Sequence, residues 1–149
     1  MPTDLEIELA VRQKALGLLA RREHSVRELA RKLAAKGIRA ELVTRVVSRL
    51  CEDNLLSDAR FTEIFVEQRV EGGYGPIRIR HELRERGIDG DLATRHLSRD
   101  EAEWLERVAT AREKRFGPAR PADLKERARQ TRFLLYRGFE SEHIRTMLG

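Results

Sequence analysis

The sequence is poor in the residues that build thick cores and chemical sites. Of its 149 residues, one is cysteine, 5% are aromatic and 37% are charged. A single cysteine excludes an internal disulfide, and its place near Leu50 and Leu55 predicts that Cys51 is a small buried apolar residue. The four histidines are scattered, so they do not have the spacing of a metal site. The composition therefore favours small cores between helices over one deep core.

Long apolar runs and catalytic motifs are also absent. No run reaches the roughly 18 apolar residues of a membrane span, and the acidic start MPTDLEIE lacks the regions of a secretory signal. No phosphate-binding loop, nucleophile elbow or Cys-x-x-Cys pair occurs. We therefore expect a cytoplasmic protein that is not an enzyme and uses no metal or cofactor.

What the chain does contain is a repeat of about 50 residues. The segments ELARKLAAKGI, RIRHELRERGI and RQTRFLLYRGF superimpose with three glycines in register, which we call the register glycines: Gly37, Gly87 and Gly138. A period in this range is typical of stacked modules that share cores with their neighbours. Such an array offers a long surface rather than one deep pocket, which favours a macromolecular partner.

Capping and breaking residues divide each repeat into helices. A first helix is expected from about Asp4 to Arg22, with its apolar residues at Leu5, Leu9, Ala15, Leu16 and Leu19. Ser25 and Glu28 match a capping box at the start of the second helix. No stretch shows the period-two alternation of a strand. We therefore predict an all-α fold of three tandem three-helix repeats in an elongated, curved array.

The three repeats are predicted at residues 1–54, 55–99 and 100–149, and the third differs from the others in two ways. Its second helix, from about Ala122 to Arg137, is about one turn longer. The third repeat also contains the excess of basic over acidic side chains that gives the chain its formal charge of +5, because nine basic and three acidic side chains lie between Arg112 and Arg137. Such an excess fits phosphate or an acidic protein surface, although a solvated basic helix face has the same composition.

The candidate contact residues for DNA or a protein filament are basic side chains in three groups. Pairs one turn apart on a helix face are spaced to reach successive phosphates. The groups are Arg27 and Arg31; Arg78, Arg80 and Arg84; and Arg112, Lys114, Arg115, Lys125, Arg127, Arg129 and Arg132. Two further residues, Tyr74 and Tyr136, either stack on exposed bases or pack within the fold. A cation precedes each register glycine: Lys36, Arg86 and Arg137. These side chains either contact the DNA or filament or oppose the helix dipole.

Three motifs follow one another in a specific order, although each alone is weak. They are Ser25 with Glu28, Leu29 and Leu33 ahead of Gly37; Leu56-Ser57-Asp58-Ala59-Arg60-Phe61; and Gly75-Pro76-Ile77-Arg78-Ile79-Arg80 followed by Glu82-Leu83 and Gly87-Ile88. In these motifs the chain resembles the bacterial RecX family of regulatory proteins, from about Lys14 to Leu148.

The resemblance implies a protein that binds the RecA recombinase, chiefly as its filament on DNA. It implies inhibition of the ATPase, strand-exchange and coprotease activities of the recombinase, and so modulation of recombination, DNA repair and the SOS response. We expect a monomer that binds single- and double-stranded DNA largely independently of sequence. The alternative is a helix-turn-helix-like DNA-binding protein without a recombinase partner. This alternative is disfavoured because Asp89 and Asp91 lie at the start of a candidate recognition helix, where their negative charges would be repelled by the phosphates of DNA.

Overall fold

The computed structural model describes residues 1–149, and its regular structure is entirely helical. The helices are α1 (Asp4–Arg21), α2 (Val26–Ala35), α3 (Ala40–Glu52), α4 (Asp58–Glu71), α5 (Pro76–Glu85), α6 (Gly90–Leu97), α7 (Glu101–Phe116), α8 (Leu124–Tyr136) and α9 (Ser141–Leu148). The all-α prediction is confirmed. Contacts divide the chain into two compact units: unit 1 is Met1–Ile64 with Arg86–Ile88, and unit 2 is Phe65–Glu85 with Asp89–Gly149. The repeat boundaries at residues 54 and 99 stay a prediction.

The start and end of α2 follow from its sequence signals. Ser25 Oγ accepts from the Glu28 N–H at 3.1 Å, and the Glu28 carboxylate accepts from the Ser25 N–H at 3.1 Å, which confirms the capping box. Burial alone would raise the pKa of Glu28, but hydrogen bonds from Arg22 and from the Ser25 backbone lower it. At the other end, Gly37 has φ +84°, the left-handed conformation that ends helices.

The core of unit 1 lies between α1, α2 and α3. Its fully buried residues are Ala15, Leu29, Leu33 and Leu50. Of the predicted apolar residues of α1, Ala15 is buried and Leu16 and Leu19 pack against the core, as expected. The prediction was wrong in the first turns: Leu5 and Leu9 are 63% and 53% exposed, because α1 packs through Val11 and Ala15.

The predicted burial of the cysteine was also wrong. Leu50 faces the core of unit 1, and each helical residue is rotated by about 100° from the one before it. Cys51 therefore points away from the core and is exposed.

The core of unit 2 is built from α5 and the mutually packed helices α7, α8 and α9. Its residues with no exposed surface are Ile79, Leu83, Val108, Leu134 and Phe139. The longer second helix of the third repeat is confirmed, because α8 has 13 residues and α5 has 10. It begins at Leu124 rather than near Ala122, because Asp123 is its N-cap and accepts from the Glu126 N–H at 2.8 Å.

Two of the register glycines are docking points for the start of another helix. In unit 1 the Ser25 hydroxyl donates to the Arg86 carbonyl at 2.8 Å, and the Arg27 side chain covers Gly87. In unit 2 the Gly75 N–H donates to the Arg137 carbonyl at 2.8 Å, and Arg78 covers Gly138. We call residues 86–88 and 137–139 acceptor loops, and we call residues 25–28 and 75–78 the donor turns that dock on them.

Candidate nucleic-acid interface

Tyr74 in unit 2 is surrounded by three guanidinium groups. The Cζ atoms of Arg69, Arg78 and Arg137 lie 4.7, 4.5 and 4.7 Å from the centre of its ring. These distances are within the roughly 6 Å over which a cation is attracted to an aromatic face. The turn after α4 produces this arrangement, because Gly73 has φ +86° and the Tyr74 N–H returns to donate to the Arg69 carbonyl at 3.1 Å.

The alternation of arginine and aromatic rings continues over the third repeat. Arg78 lies 5.1 Å from the Tyr136 ring, and Arg137 lies 5.1 Å from the Phe133 ring. Phe133 in turn meets Phe116 edge to face at 5.3 Å. Two further guanidinium groups close the set: Arg115 beside both phenylalanines and Arg129 beside Phe116. We call these nine residues the arginine–aromatic strip: Arg69, Tyr74, Arg78, Arg115, Phe116, Arg129, Phe133, Tyr136 and Arg137.

Hydrogen bonds and ion pairs hold the arginines of the strip in place. Arg78 donates to the Tyr136 carbonyl at 3.3 Å, and Arg137 donates to the Gly72 carbonyl at 3.2 Å. Arg69 forms an ion pair with Glu82. Because side-chain freedom is already restricted, a ligand that binds the strip has little ordering left to impose.

Within the strip, Tyr136 is the ring most open to a ligand. Its exposure is 74%, whereas Tyr74 is half-buried among its arginines. A ring with one face against Arg78 and the rest exposed is a platform on which a base can stack.

Seven of the twelve predicted contact residues are engaged within the fold. Arg80 donates to Thr94 Oγ1 at 2.9 Å, and Arg112 donates to the Ala119 carbonyl at 3.0 Å. Arg127 donates to the carbonyls of Leu148 and Gly149. The other four are Arg27, whose aliphatic stem covers Gly87 while its guanidinium has no partner, and the strip members Arg78, Arg115 and Arg129.

The remaining five predicted residues have exposed side chains that make no hydrogen bond, ion pair or ring contact: Arg31, Arg84, Lys114, Lys125 and Arg132. Lys125 and Arg132 are seven residues apart on α8, so they share one helix face. Their charges are not neutralised by a neighbour, which makes them the simplest phosphate contacts on the chain.

A local carboxylate reduces what Arg129 offers to a ligand. Hydrogen bonds from Arg129 and Gln130 lower the pKa of Glu126, so its carboxylate is charged at neutral pH. The Arg129 guanidinium is therefore already paired, at 3.0 Å.

Sequence reasoning missed three members of the strip: Arg69, Phe116 and Phe133. Phe116 and Phe133 meet from different helices, α7 and α8, whereas Arg69 is close in sequence to its ring partners Phe65 and Tyr74 but lies outside the basic region that the sequence marks. The pairing of Tyr136 and Arg137 beside a register glycine was the one visible hint, since both sit at the end of α8.

The structure contains neither a cluster of metal ligands nor a bilayer-spanning helix. No group of three or more His, Cys, Asp or Glu side chains is placed to hold a metal ion. No helix has both the length and the apolar character to cross a bilayer.

Comparison with known proteins identifies the family. Models of the first, second and third three-helix domains of RecX match residues 12–50, 57–97 and 101–148. The chain is 45% identical over 149 residues to the regulatory protein RecX of Pseudomonas entomophila, covering 100% of this chain and 96% of that one. It is 48% identical over 136 residues to that of Halorhodospira halophila, covering 91% and 84%.

Solved structures show the same fold at lower identity. The crystal structure of RecX from Lactobacillus salivarius matches with a TM-score of 0.81 and 22% identity, covering 95% of this chain and 94% of that one. A second crystal structure of a regulatory protein RecX matches with a TM-score of 0.81 and 18% identity, covering 96% and 72%. The domain matches and the full-length relatives agree: the chain belongs to the RecX family of regulatory proteins.

Proposed function

We propose that the protein binds the RecA recombinase filament on DNA in the cytoplasm and inhibits its ATPase, strand-exchange and coprotease activities. Membership of a family of regulatory proteins supports a modulator without an active site of its own. The single observation that supports a contact with DNA is the arginine–aromatic strip of unit 2, together with the unpaired side chains of Lys125 and Arg132 on α8.

The strip supplies two kinds of contact that do not depend on base identity. Tyr136 offers its ring to stack on an exposed base, and every base has such a face. Lys125 and Arg132 offer charge to the phosphate backbone. Binding of this kind is largely independent of sequence, as a protein that acts anywhere along a filament requires.

Repeated three-helix domains suit an extended partner. We assign them to residues 1–54, 55–99 and 100–149, and the three family matches, at residues 12–50, 57–97 and 101–148, support this division. Each domain then contributes a modest contact, and the contacts reinforce one another once the first is made. Arg31 and Arg84 are the free cations that the first two domains would contribute.

The alternative, a helix-turn-helix-like DNA-binding protein, fits less well. In such proteins the first residues of the recognition helix contact base edges. Here Asp89 caps α6 and accepts from the Asp91 N–H at 3.2 Å, so two carboxylates occupy the start of that helix. Their charge would repel the phosphates on either side of a major groove.

The proposal is tested by DNA-dependent ATP hydrolysis by the recombinase, measured at a fixed excess of DNA while this protein is added at substoichiometric ratios. Suppression well below one copy per recombinase would support a filament regulator. An unchanged rate at saturation would refute it, and a search for an operator sequence would then be the test of the alternative.

A further inference from the structure

The acceptor loop of the first repeat, residues 36–38, is uncovered. A Cβ built on Gly87 would lie 2.5 Å from the Arg27 Cδ, and one built on Gly138 would overlap Arg78, because a donor turn sits on each loop. Gly37 has the same left-handed backbone, with φ +84° beside +77° and +97° for the other two. A Cβ there would meet nothing within 4 Å.

A groove of about 380 Å³ lies beside this uncovered loop. Its apolar wall comes from α1, α3 and the loop itself: Ile7, Val11, Ile38 and Leu42. Charged residues of both signs also line the groove, namely Glu6, Lys14 and Arg39. The groove therefore fits a segment that carries one apolar side chain between charged ones.

The chain also contains a donor turn with no acceptor loop under it. Residues 123–126 (Asp-Leu-Lys-Glu) open α8 and repeat the order of residues 25–28 (Ser-Val-Arg-Glu): a cap, an aliphatic residue, a cation and a glutamate. In the docked turn Val26 is half-buried, whereas Leu124 in the uncovered turn is 83% exposed. An aliphatic side chain exposed to this extent is a candidate anchor for a partner surface.

We propose that the uncovered donor turn of one copy docks on the uncovered acceptor loop of a second copy. Leu124 enters the groove beside Gly37, the Asp123 N–H donates to the Lys36 carbonyl as the Gly75 N–H donates to the Arg137 carbonyl, and Lys125 faces the carboxylate of Glu6. The docked junctions inside units 1 and 2 supply the template for this contact. Because the donor turn and the acceptor loop are different surfaces, the contact is heterologous, and each docked copy still offers one free surface to a further copy.

This inference does not depend on the recombinase proposal, although a docked copy would use Lys125 for Glu6 and leave Arg132 as the phosphate contact of α8; it restricts the expected monomer to dilute solution. The contact is one turn on one groove, so it is weak in solution. A filament that holds several copies side by side raises their local concentration and favours the contact.

Analytical ultracentrifugation from about 5 µM to about 1 mM, the range of transient affinities, tests the proposal with two variants. Gly37→Asn obstructs the loop but keeps its backbone, since asparagine tolerates the left-handed conformation. Leu124→Glu removes the anchor and keeps α8, because an acidic residue in the first turn favours the helix. Leu5→Glu is the matched control, as Leu5 is 63% exposed and lines a different groove. Circular dichroism checks that each variant is folded.

We expect the wild-type mass to rise above 17.3 kDa with concentration and each variant alone to stay at 17.3 kDa. An equimolar mixture of the two variants should form a dimer and no larger species. Gly37→Asn keeps its donor turn and Leu124→Glu keeps its acceptor loop, so only this one pair of surfaces can dock. The control should associate like the wild type. A wild type that stays monomeric, a mixture that does not dimerise, or an equal loss in the control would each overturn the proposal.

Discussion

The Gly75 N–H donates to the Arg137 carbonyl at 2.8 Å, and the backbones there are in direct contact. A Cβ on Gly75 would overlap the carbonyl group of Gly138 and the nitrogen of Phe139. The close approach, rather than a special dihedral angle, is what excludes a side chain, because Gly75 does not have a positive φ.

We therefore expect Gly75→Ala to destabilise the protein by about 1 to 3 kcal/mol, the usual effect of overpacking a buried contact. Gly17 is the matched control, since it lies in α1 and a Cβ added there would meet nothing within 4 Å. Gly17→Ala should stabilise by about 0.5 to 1 kcal/mol, because alanine favours a helix interior. Urea unfolding measures both, and equal effects would contradict the contact.

Leu83 on α5 has no exposed surface. Leu83→Ala should lower the free energy of unfolding by about 2 to 5 kcal/mol, because it removes buried methyl groups and leaves a cavity. Ile77 on the same helix is 52% exposed, so Ile77→Ala should change stability by about 1 kcal/mol or less. Chemical denaturation compares the two; a negligible loss at Leu83 would show that its buried environment contributes little.

We expect His24 to make the stability of unit 1 depend on pH. Its Nδ1 donates to the Arg22 carbonyl at 3.1 Å, and its Nε2, 2.8 Å from the Lys32 ammonium, accepts, so the ring is neutral. Burial chiefly lowers the pKa of His24; the Arg22 and Lys32 charges lower it too, while the backbone hydrogen bond and Glu28 raise it. The folded pKa is thus below the ordinary value of about 6.5.

Because the unfolded chain binds this proton more readily, the stability from His24 is complete above about pH 6.5 and is lost as pH falls through the folded pKa. We expect the melting temperature of the wild type to fall between about pH 7.5 and pH 5.5 and that of His24→Gln to fall less. Thermal melts followed by circular dichroism measure this. Parallel pH curves for the two proteins would rule out His24 as the source.

Tyr136 should contribute to DNA binding through its ring. Tyr136→Ala should weaken binding of a single-stranded oligonucleotide by about tenfold, in line with about 1 to 3 kcal/mol for one stacked base. Tyr136→Phe keeps the ring and should bind like the wild type. Fluorescence anisotropy gives the affinities, and an equal loss in both variants would indicate that the hydroxyl matters instead.

Lys125 and Arg132 should account for part of the salt dependence. Reversing both to Glu should reduce the slope of log affinity against log salt by about 1.4, since each phosphate contact on a single strand contributes about 0.7. The control reverses Arg39 and Arg45, two exposed cations of unit 1, and so changes the net charge equally. If both pairs change the slope alike, the effect is one of overall charge and not of contact. Arg127 is left unchanged in this test because its guanidinium donates hydrogen bonds to the carbonyls of Leu148 and Gly149, so reversing it would alter the fold as well as the charge.

The helices could be predicted wherever a local signal marks their ends. The capping box at Ser25 and the left-handed Gly37 each involve residues within one turn, so the sequence contains the whole interaction. The same holds for the all-α fold, since hydrophobic spacing is also local. The exposure of Leu5 shows the limit, because the residues that α1 meets come from α2 and α3.

The candidate site was less predictable because its geometry depends on distant residues. Charge located the basic third repeat, yet it did not separate the paired Arg127 from the free Arg132. That distinction depends on carbonyls 21 and 22 residues away in the chain. Likewise, Tyr74 and Tyr136 share Arg78 only because the chain folds back on itself.

The junctions at Gly87 and Gly138 also bear on how this fold tolerates evolutionary change. Their acceptors are main-chain carbonyls, which every amino acid provides, and the steric demand falls on three glycines: Gly87 and Gly138 in the loops and Gly75 in the donor turn. Substitutions elsewhere in the loops leave the hydrogen bonds intact. A chain that joins its helices in this way can drift far in sequence and keep its architecture, as the TM-score of 0.81 at 22% identity illustrates.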